Sequence, residues 1–267
     1  MKVYIITNST WNIVNFRKEL INKMYDMNIE IILSAPKDKY FHLIDKNKFK
    51  YVDLTYSRKS QNIFSNLYII FFYFMQFLRE KPDKILLFTI KPNIFCSLSA
   101  IFFKKIKIYN FITGLGTLFF ENNLKKKFLL NLYRFALLRS DKVIFQNHYD
   151  QNFFLDNNVI HQNKSIIISG SGVDSKKFKF SNINSNKFKK FSFLCISRLI
   201  AQKGIREYIE ASKLIIKNFP QTEFILMGQI DKDNKSSFNL EELLKDNKFI
   251  KIINFEFDVY KYLKNCD

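Results

Sequence analysis

Two basic side chains, Arg198 and Lys203, lie in a short stretch between an apolar run and a helical pattern. The apolar run 191–196 predicts a strand, and the pattern that follows Gly204 predicts a helix. In many nucleotide-binding α/β domains, the loop of such a unit and the N-terminus of its helix contact phosphates. Arg offers a planar fork for phosphate oxygens and Lys a mobile point charge, so the pair suits a diphosphate. The alternative is that both are solvated loop charges, as most Arg and Lys residues are.

The same loop starts at Ser197 and ends at Gly204, which lets the backbone approach a ligand or begin the helix without a Cβ. The pattern Ser-Arg-Leu-x-x-x-Lys-Gly, with Glu-Phe-Ile-Leu-Met-Gly one helix later at 223–228, resembles the donor-binding half of glycosyltransferase family 4. The resemblance implies a retaining enzyme with two Rossmann-like domains. It also implies that Arg198 and Lys203 hold the diphosphate of a nucleotide-sugar and stabilise the leaving group, with Ser197 and Gly204 as further donor-binding residues.

Strand and helix patterns alternate along the whole chain, which predicts a mostly parallel, doubly wound sheet. The first part has predicted strands at 2–6, 29–34, 50–54, 84–88, 107–111, 142–145 and 165–168, and predicted helices at 11–27, 40–46, 63–78, 93–103, 125–139 and 149–157. We predict an α/β protein, and the family resemblance implies that it is of the glycosyltransferase B type. Its N-terminal acceptor-side domain would cover 1–180, an Asn-rich basic linker 181–190, and a nucleotide-sugar-binding domain 191–267.

The second domain has only three predicted strands, at 191–196, 223–227 and 249–253, with predicted helices at 205–219, at 240–246 and after the last strand. A Rossmann sheet usually has six strands in the order 3-2-1-4-5-6, so the first of these strands would be central and yet have one edge without a partner. The alternative is a smaller domain that is complete with three strands. We predict that the second domain is incomplete and that the chain is truncated at its C-terminus, before the two spaced Glu residues with which the family contacts the donor.

Two further segments follow predicted strands at the end where open α/β sheets bind ligands. Lys91 follows the strand 84–88, and a tetrapeptide with two of the six glycines follows the next strand. Both segments resemble those of family members that build bacterial surface polysaccharides on undecaprenyl-diphosphate-linked sugars. We therefore place Lys91, Thr113, Gly114 and Gly116 on the acceptor side, although an ordinary strand–helix junction also accounts for Lys91. No His lies near this loop, so no general acid or base is assigned.

Three other positions carry weaker signals. The turn 7–10 lacks the glycines found there in many family members, and capping of the first helix is predicted for it. Arg17 follows one turn later, and the sequence leaves open whether it faces a ligand. Gly172 lies in a Ser-Gly-Ser-Gly-Val-Asp segment that resembles the family's Gly-x-Asp-x-x-x-Phe segment near the domain junction. We assign Gly172 to the donor site, with a hinge role as the alternative.

The formal net charge of +19 implies attraction to something anionic, namely nucleic acid, a lipid surface or phosphorylated substrates. No zinc finger, RNP signature or basic-region heptad accompanies it, so we predict an anionic membrane surface and no nucleic acid as partner. Codon bias also explains an excess of Lys. The 47% hydrophobic content excludes a disordered chain. The three widely spaced Cys exclude a disulfide framework, and the N-terminus lacks a signal peptide, so a cytoplasmic protein is predicted.

Two helical segments are candidates for contact with a membrane. The segment 63–78 is almost entirely apolar but too short for a membrane span. We predict a buried helix there, with insertion into a bilayer surface as the alternative. The helix 125–139 is basic and apolar, and the same two interpretations apply to it.

These observations predict a retaining transfer of a sugar from a nucleotide-diphosphate-sugar to a polyprenyl-diphosphate-linked glycan, at the cytoplasmic face of the membrane. Arg198 and Lys203 would neutralise the departing diphosphate, a role that needs no metal or other cofactor. The alternative is a catalytically inactive, truncated homologue that binds membrane or lipid-linked glycan. A separately encoded C-terminal fragment is a further predicted partner.

Overall fold

The computed structural model describes residues 1–54, 62–115, 123–179, 191–230, 236–239 and 249–267. Their contacts divide the chain into two compact units, Met1–Val173 and Asp174–Asp267. The division falls a few residues before the boundary at 180, because Lys177 pairs with Asp258 (3.3 Å) and the ring of Phe178 packs edge-to-face on Tyr260. The predicted linker 181–190 lies outside the described residues.

Seven parallel strands form the sheet of the first unit: β1 (Lys2–Ile6), β2 (Glu30–Ala35), β3 (Lys50–Asp53), β4 (Lys84–Phe88), β5 (Lys107–Ile112), β6 (Lys142–Phe145) and β7 (Ser165–Ile167). Their order is β3-β2-β1-β4-β5-β6-β7, so the predicted α/β class and parallel sheet are confirmed. Strands β2 and β3 lie on one side of β1, and the chain then crosses to the other side, where β4 pairs with β1. The carboxyl ends of β1 and β4 therefore lie side by side at the point where the strand order reverses, which is where open α/β sheets bind ligands.

The central strands are apolar on both faces because both faces of the sheet are covered. In β1, Tyr4 and Ile6 belong to one cluster of buried side chains, which includes Tyr73. Val3 and Ile5, which point to the opposite face, belong to the other. Two cores thus hold the sheet rigid and keep its carboxyl edge in place.

The predicted helix 11–27 is wrong in one respect, because it is two helices, α1 (Thr10–Phe16) and α2 (Lys18–Asp26). The break is at Arg17, whose φ of −120° and ψ of −5° are not helical. The predicted capping role in the turn before α1 is confirmed, since the Oγ of Ser9 accepts a hydrogen bond from the Asn12 N–H at 3.2 Å. The break turns Arg17 into the protein interior, where it is 5% exposed.

The remaining helices of the first unit are α3 (Ile63–Glu80), a π-helical turn (Pro92–Cys96) that continues into α4 (Ser97–Ala100), α5 (Asn123–Leu137) and α6 (His148–Asp156). The predicted helices near 40–46 and at 93–103 are corrected to a 3₁₀ turn, Phe41–Leu43, and to this interrupted helix. The prediction that α3 is buried is also wrong. Only one face of α3, which includes Tyr73 and Phe77, is buried.

The second unit has three parallel strands, β8 (Ser192–Ile196), β9 (Glu223–Gly228) and β10 (Ile250–Asn254), in the order β10-β9-β8. Helix α7 (Ile205–Asn218) joins β8 to β9, and a short helix, Tyr260–Leu263, follows β10. Within the described part of the chain, β8 pairs with β9 on one side and with no strand on the other. The predicted helix 240–246 lies outside the described residues.

Candidate functional site

The loop 197–204 of the second unit connects β8 to α7, as predicted. Leu199 and Ile200 are buried in its middle. The N–H of Leu199 donates to the carbonyl of Gln229 (3.2 Å), and its carbonyl accepts from the N–H of Phe238 (3.0 Å). Arg198 and Lys203, on either side of this anchor, are exposed. The loop therefore holds two cations outside a fixed backbone, an arrangement that suits an anionic ligand.

Gly204 immediately precedes α7, as its N-cap residue, and has φ 70° and ψ 25°. This left-handed conformation is one that glycine adopts without strain, so the structure assigns Gly204 a backbone role at the start of the helix. At the other end of the loop, the hydroxyl of Ser197 donates to the carbonyl of Arg198 (3.1 Å). The N–H of Ser197 donates to the carbonyl of Met227 (3.0 Å), which extends the pairing of β8 with β9 into the loop.

Gly228 is the last residue of β9. It belongs to the sequence motif at 223–228, but the sequence did not indicate a role for it. A Cβ at Gly228 would lie 1.9 Å from the carbonyl oxygen of Ser197. Only glycine permits the backbone of β9 to pass so close to the start of the loop. The available signal was a glycine at the carboxyl end of a predicted strand beside a loop with charged residues.

In the first unit, Lys91 lies just beyond the carboxyl end of β4, where the sequence predicted it. It is half-buried, and burial lowers the pKa of its amine. Thr89, two residues earlier, has φ 73°, a strained conformation for a β-branched residue, and its buried Oγ1 has no hydrogen-bond partner among the described residues. Backbone strain of this kind and π-helical turns both concentrate at functional sites.

A buried polar network holds the π-helical turn that follows Lys91. The amide nitrogen of Asn110, on β5, donates to Asn93 Oδ1 (3.1 Å) and to Ser97 Oγ (2.8 Å). The amide oxygen of Asn110 accepts from the hydroxyl of Ser140 at 2.7 Å. This network ties the segment after β4 to the neighbouring strand and so fixes the backbone that carries Lys91.

Thr113 and Gly114 follow β5, which pairs directly with β4. The structure thus places them at the same edge of the sheet as Lys91. Gly114 is exposed with φ 134°, and no heavy atom lies within 4 Å of the position that a Cβ would take. Leu115 is buried and anchors the start of this loop. Gly116 lies outside the described residues.

Arg17 is the least exposed cation at this edge of the sheet that the structure describes. Its guanidinium carbon lies 4.1 Å from the centroid of the ring of Phe88, the last residue of β4. Its Nη1 donates to Ser171 Oγ at 2.9 Å, whereas its buried Nε has no hydrogen-bond partner in the described ranges. Burial lowers the pKa of Arg17 to about 10, so the side chain is still positive at neutral pH. No carboxylate among the described residues pairs with it, and a buried cation without a counter-ion is costly.

Gly172 is exposed and has φ 76°. It belongs to the first unit, next to the Ser171 that contacts Arg17, whereas the other predicted donor-binding residues belong to the second unit. Its assignment to the donor site stays a prediction. Among the described residues, no group of three or more metal-ligating side chains is present.

An apolar–basic surface lies on the face of the first unit formed by α3, α4 and α5. Helices α3 and α5 both pack against the π-helical turn and α4. The exposed apolar side chains of this surface are Phe64, Leu67, Phe71, Met75, Phe102, Leu124, Phe128 and Phe135, and exposed Lys104, Lys105, Lys125 and Lys127 accompany them. In the described part of the chain, no helix has the length and apolarity needed to cross a membrane.

Comparison with known sequences gives one informative relative. The chain is 26% identical over 282 aligned residues to N,N'-diacetylbacillosaminyl-diphospho-undecaprenol α-1,3-N-acetylgalactosaminyltransferase of Campylobacter jejuni. The alignment covers 100% of this chain and 73% of that protein. No model of a known protein family matches the chain. The chain thus resembles a glycosyltransferase that acts on a lipid-linked sugar.

Solved structures agree on the fold. A glycosyltransferase from Rickettsia africae superposes with a TM-score of 0.73 at 16% identity, covering 100% of this chain and 71% of that one. HepE from Anabaena, in complex with UDP, superposes with a TM-score of 0.71 at 15% identity, covering 100% and 72%. UDP-GlcNAc 2-epimerase from Neisseria meningitidis gives 0.63 at 17% identity, covering 99% and 74%. These likenesses show the glycosyltransferase B type of fold.

Proposed function

We propose that this chain is a retaining glycosyltransferase that moves a sugar from a nucleotide-diphosphate-sugar to a polyprenyl-diphosphate-linked glycan, in the synthesis of a surface polysaccharide. The observation that carries the proposal is the similarity along the whole chain to a transferase whose substrate is a diphospho-undecaprenol-linked sugar. The anchored loop with exposed Arg198 and Lys203 supports it, because this loop has the charge that a nucleoside diphosphate requires.

In the proposed reaction, the bond between the anomeric carbon of the sugar and the diphosphate breaks, and the oxygen of an acceptor hydroxyl forms a bond to the same carbon. The proton of that hydroxyl leaves with the departing diphosphate. Negative charge develops on the departing diphosphate. The guanidinium of Arg198 binds it in a bidentate manner, and the amine of Lys203 adds a second positive charge. Both charges are already in place on a fixed loop, so their stabilisation of the transition state needs no rearrangement.

Lys91, Thr113, Gly114 and Gly116 are the proposed acceptor-side residues. The first three follow adjacent strands at the carboxyl edge of the first unit's sheet. The lowered pKa of Lys91 reflects burial, and an anionic group of the acceptor would compensate for the desolvation of its amine. Gly172 is kept as a proposed donor-binding residue.

The inactive alternative is not favoured, because the relative that matches along the whole chain is a transferase. The similarity to a 2-epimerase carries no functional argument, since at 17% identity it shows the fold alone.

The direct test is a transfer assay with UDP-N-acetylgalactosamine as donor and a polyprenyl-diphosphate-linked N,N'-diacetylbacillosamine as acceptor. We expect the acceptor to gain one N-acetylhexosamine, with the α configuration of the donor retained in the product, as mass spectrometry and NMR would show. Addition of a chelator is expected to leave the rate unchanged, because Arg198 and Lys203 supply the charge that a metal would otherwise provide.

Release of UDP without a new glycosidic bond would contradict the proposal, and so would a product with inverted configuration. Loss of transfer with chelator, restored by a divalent cation, would contradict only the metal-free mechanism. Other nucleotide-sugars should be tested as donors in the same assay, because Arg198 and Lys203 bind the diphosphate and do not specify the sugar.

We also propose that the apolar–basic surface docks the chain on the anionic cytoplasmic face of the membrane, where a lipid-linked acceptor is located. Exposed aromatic and aliphatic side chains along α3 and α5 provide the inserting groups, and the neighbouring Lys residues are attracted to anionic headgroups. A surface with both features is rare on a protein that stays in water.

Replacement of Phe71 and Phe128 by Ser should weaken binding to vesicles that contain anionic phospholipid by about tenfold or more per side chain, given the free energy of burying a Phe. Co-sedimentation measures this. Phe219→Ser is the matched control, because Phe219 is equally exposed but lies on α7's C-terminal end in the second unit. Vesicle binding that is unchanged in the double variant would refute the docking surface. Salt-sensitive affinity for DNA or RNA, without vesicle binding, would favour a nucleic-acid partner instead.

A further inference from the structure

We infer that Arg17 and Gln146 form an oxyanion-binding site at the carboxyl edge of the first unit's sheet, and that this site binds a diphosphate oxygen of the lipid-linked acceptor. In the structure, the hydroxyl of Ser171 lies at the position that this oxygen would take. The identification of the ligand as the acceptor's diphosphate rests on the proposed function, whereas the site itself rests on the geometry of the first unit.

Two donors converge on one oxygen atom at this place. Ser171 Oγ lies 2.9 Å from Arg17 Nη1 and 3.0 Å from the amide Nε2 of Gln146. Arg17 stands at the break before α2, and Gln146 directly follows β6, so two separate elements bring the donors together. A neutral hydroxyl that accepts from a guanidinium and from an amide occupies a position in which a phosphate oxygen would be bound more strongly. The anionic oxygen would form an ion pair with the guanidinium and would make the hydrogen bond from the amide charge-assisted.

In the part of the chain that the structure describes, the charge of Arg17 has no counter-ion. The partners of its guanidinium are the Ser171 hydroxyl and the face of the Phe88 ring, and no carboxylate of the described residues lies within ion-pair distance. Its Nε is buried and has no hydrogen bond to any residue that the structure describes. An uncompensated, 5% exposed cation is costly in a protein interior, and an anion that binds beside it removes much of that cost. A ligand phosphate would supply this anion.

The place held by Ser171 is accessible from solvent. Ser171 is exposed, and so is Gly172 on its C-terminal side. Gly170 and Gly172 both have positive φ, and neither has any heavy atom within 4 Å of the position of a Cβ. An anion therefore displaces a single exposed hydroxyl, without disturbing packed side chains, when it reaches Arg17 and Gln146.

The position favours the acceptor over the donor as the source of the phosphate. Phe88 ends β4 beside β1, where the strand order reverses, and Lys91 follows three residues later at the same edge. The donor's diphosphate is assigned to the loop with Arg198 and Lys203, which belongs to the second unit. Binding of the donor's diphosphate by Arg17 is the competing outcome that the experiment distinguishes.

The test measures binding of geranyl diphosphate and of UDP separately, by calorimetric titration, in the wild-type chain and in Arg17→Met. We expect Arg17→Met to weaken geranyl diphosphate binding by at least about tenfold and to leave UDP binding unchanged. Lys18→Met, which removes the neighbouring exposed cation on α2, is the matched control and should leave both affinities unchanged. Since Arg17 is a buried cation with no counter-ion among the described residues, its replacement by Met should not lower the midpoint of thermal unfolding.

Ser171→Asp provides an independent test. The new carboxylate is expected to pair with Arg17, to raise the unfolding midpoint of the unliganded chain and to abolish geranyl diphosphate binding without affecting that of UDP. The inference is overturned if the wild-type chain does not bind geranyl diphosphate, if Arg17→Met and Ser171→Asp bind it as the wild type does, or if the loss of affinity falls on UDP. None of these measurements requires transfer activity. If geranyl diphosphate binds in an Arg17-dependent manner but the transfer assay fails, the proposed function is overturned and the inference about Arg17 is not.

Discussion

Replacement of Gly228 by Ala is expected to lower the free energy of unfolding of the second unit by about 3 kcal/mol, the upper part of the range for overpacked sites. The added Cβ would lie 1.9 Å from the carbonyl oxygen of Ser197, and the clash is with backbone, so no side-chain rotation relieves it. The ladder between β8 and β9 must open at the Ser197 N–H, which donates to Met227. The loop that carries Arg198 then shifts, and we expect UDP binding to fall below detection. Denaturant unfolding and calorimetric titration measure the two effects.

Gly204→Ala is the matched control for this prediction. Gly204 also has a backbone that favours glycine, but the nearest atom to a Cβ there is Glu207 Oε2 at 3.8 Å. Its replacement should cost about 1 kcal/mol, from the left-handed backbone alone. If Gly228→Ala were as stable as the wild type, or no less stable than Gly204→Ala, the close approach of β9 to Ser197 would not be a constraint on the fold.

Arg198→Ala is expected to weaken UDP binding by more than about tenfold, or about 1.4 kcal/mol, because the diphosphate loses a bidentate partner. The rate of transfer should fall further, by about a hundredfold in kcat/KM, since charge on the leaving group is greatest in the transition state. Lys203→Ala should show a smaller loss in both quantities, as a single point charge is removed. Arg198→Lys is expected to recover part of the affinity, because it restores the charge but not the planar fork. Calorimetric titration and initial-rate measurements check these effects.

Lys217→Ala serves as the control for both loop variants, because Lys217 is exposed in the last turn of α7 of the same unit. It should leave UDP binding and transfer unchanged. Higher salt should weaken UDP binding of the wild type more than that of Arg198→Ala, since screening acts on the charge that the variant lacks. An affinity for UDP that is the same in Arg198→Ala and in the wild type would contradict the assigned role of the loop.

Local pattern was sufficient for most of the secondary structure. Buried parallel strands are short apolar runs, and β1, β4 and β6 begin and end where the sequence predicted them. The alternation of such runs with helical patterns also indicated the parallel sheets of both units. The loop with Arg198 and Lys203 was predictable for the same reason, since its strand, its glycine and its helix are neighbours in the chain.

The sequence was less informative about which helical residues face the interior. The predicted helix 11–27 has the expected helical composition throughout, but the tertiary structure breaks it at Arg17. For α3, an almost uniformly apolar segment does not indicate which face packs on the sheet, because the hydrophobic pattern has little contrast around the helix. Which residues of α3 are exposed depends on where the sheet and α4 pack against the helix, and only the structure shows this.

By itself, the sequence determined the fold class, the order of strands and helices, and the loop whose two cations suit a diphosphate, because each depends on residues close together in the chain. The tertiary structure alone decided three features: the contact of Arg17 with Ser171, the close approach of Gly228 to Ser197, and the exposed surface on α3 and α5. Arg17 and Ser171 are 154 residues apart. Such contacts arise from the packing of whole helices and strands. Hydrophobic periodicity and turn residues report only on neighbouring residues in the chain and do not indicate this packing.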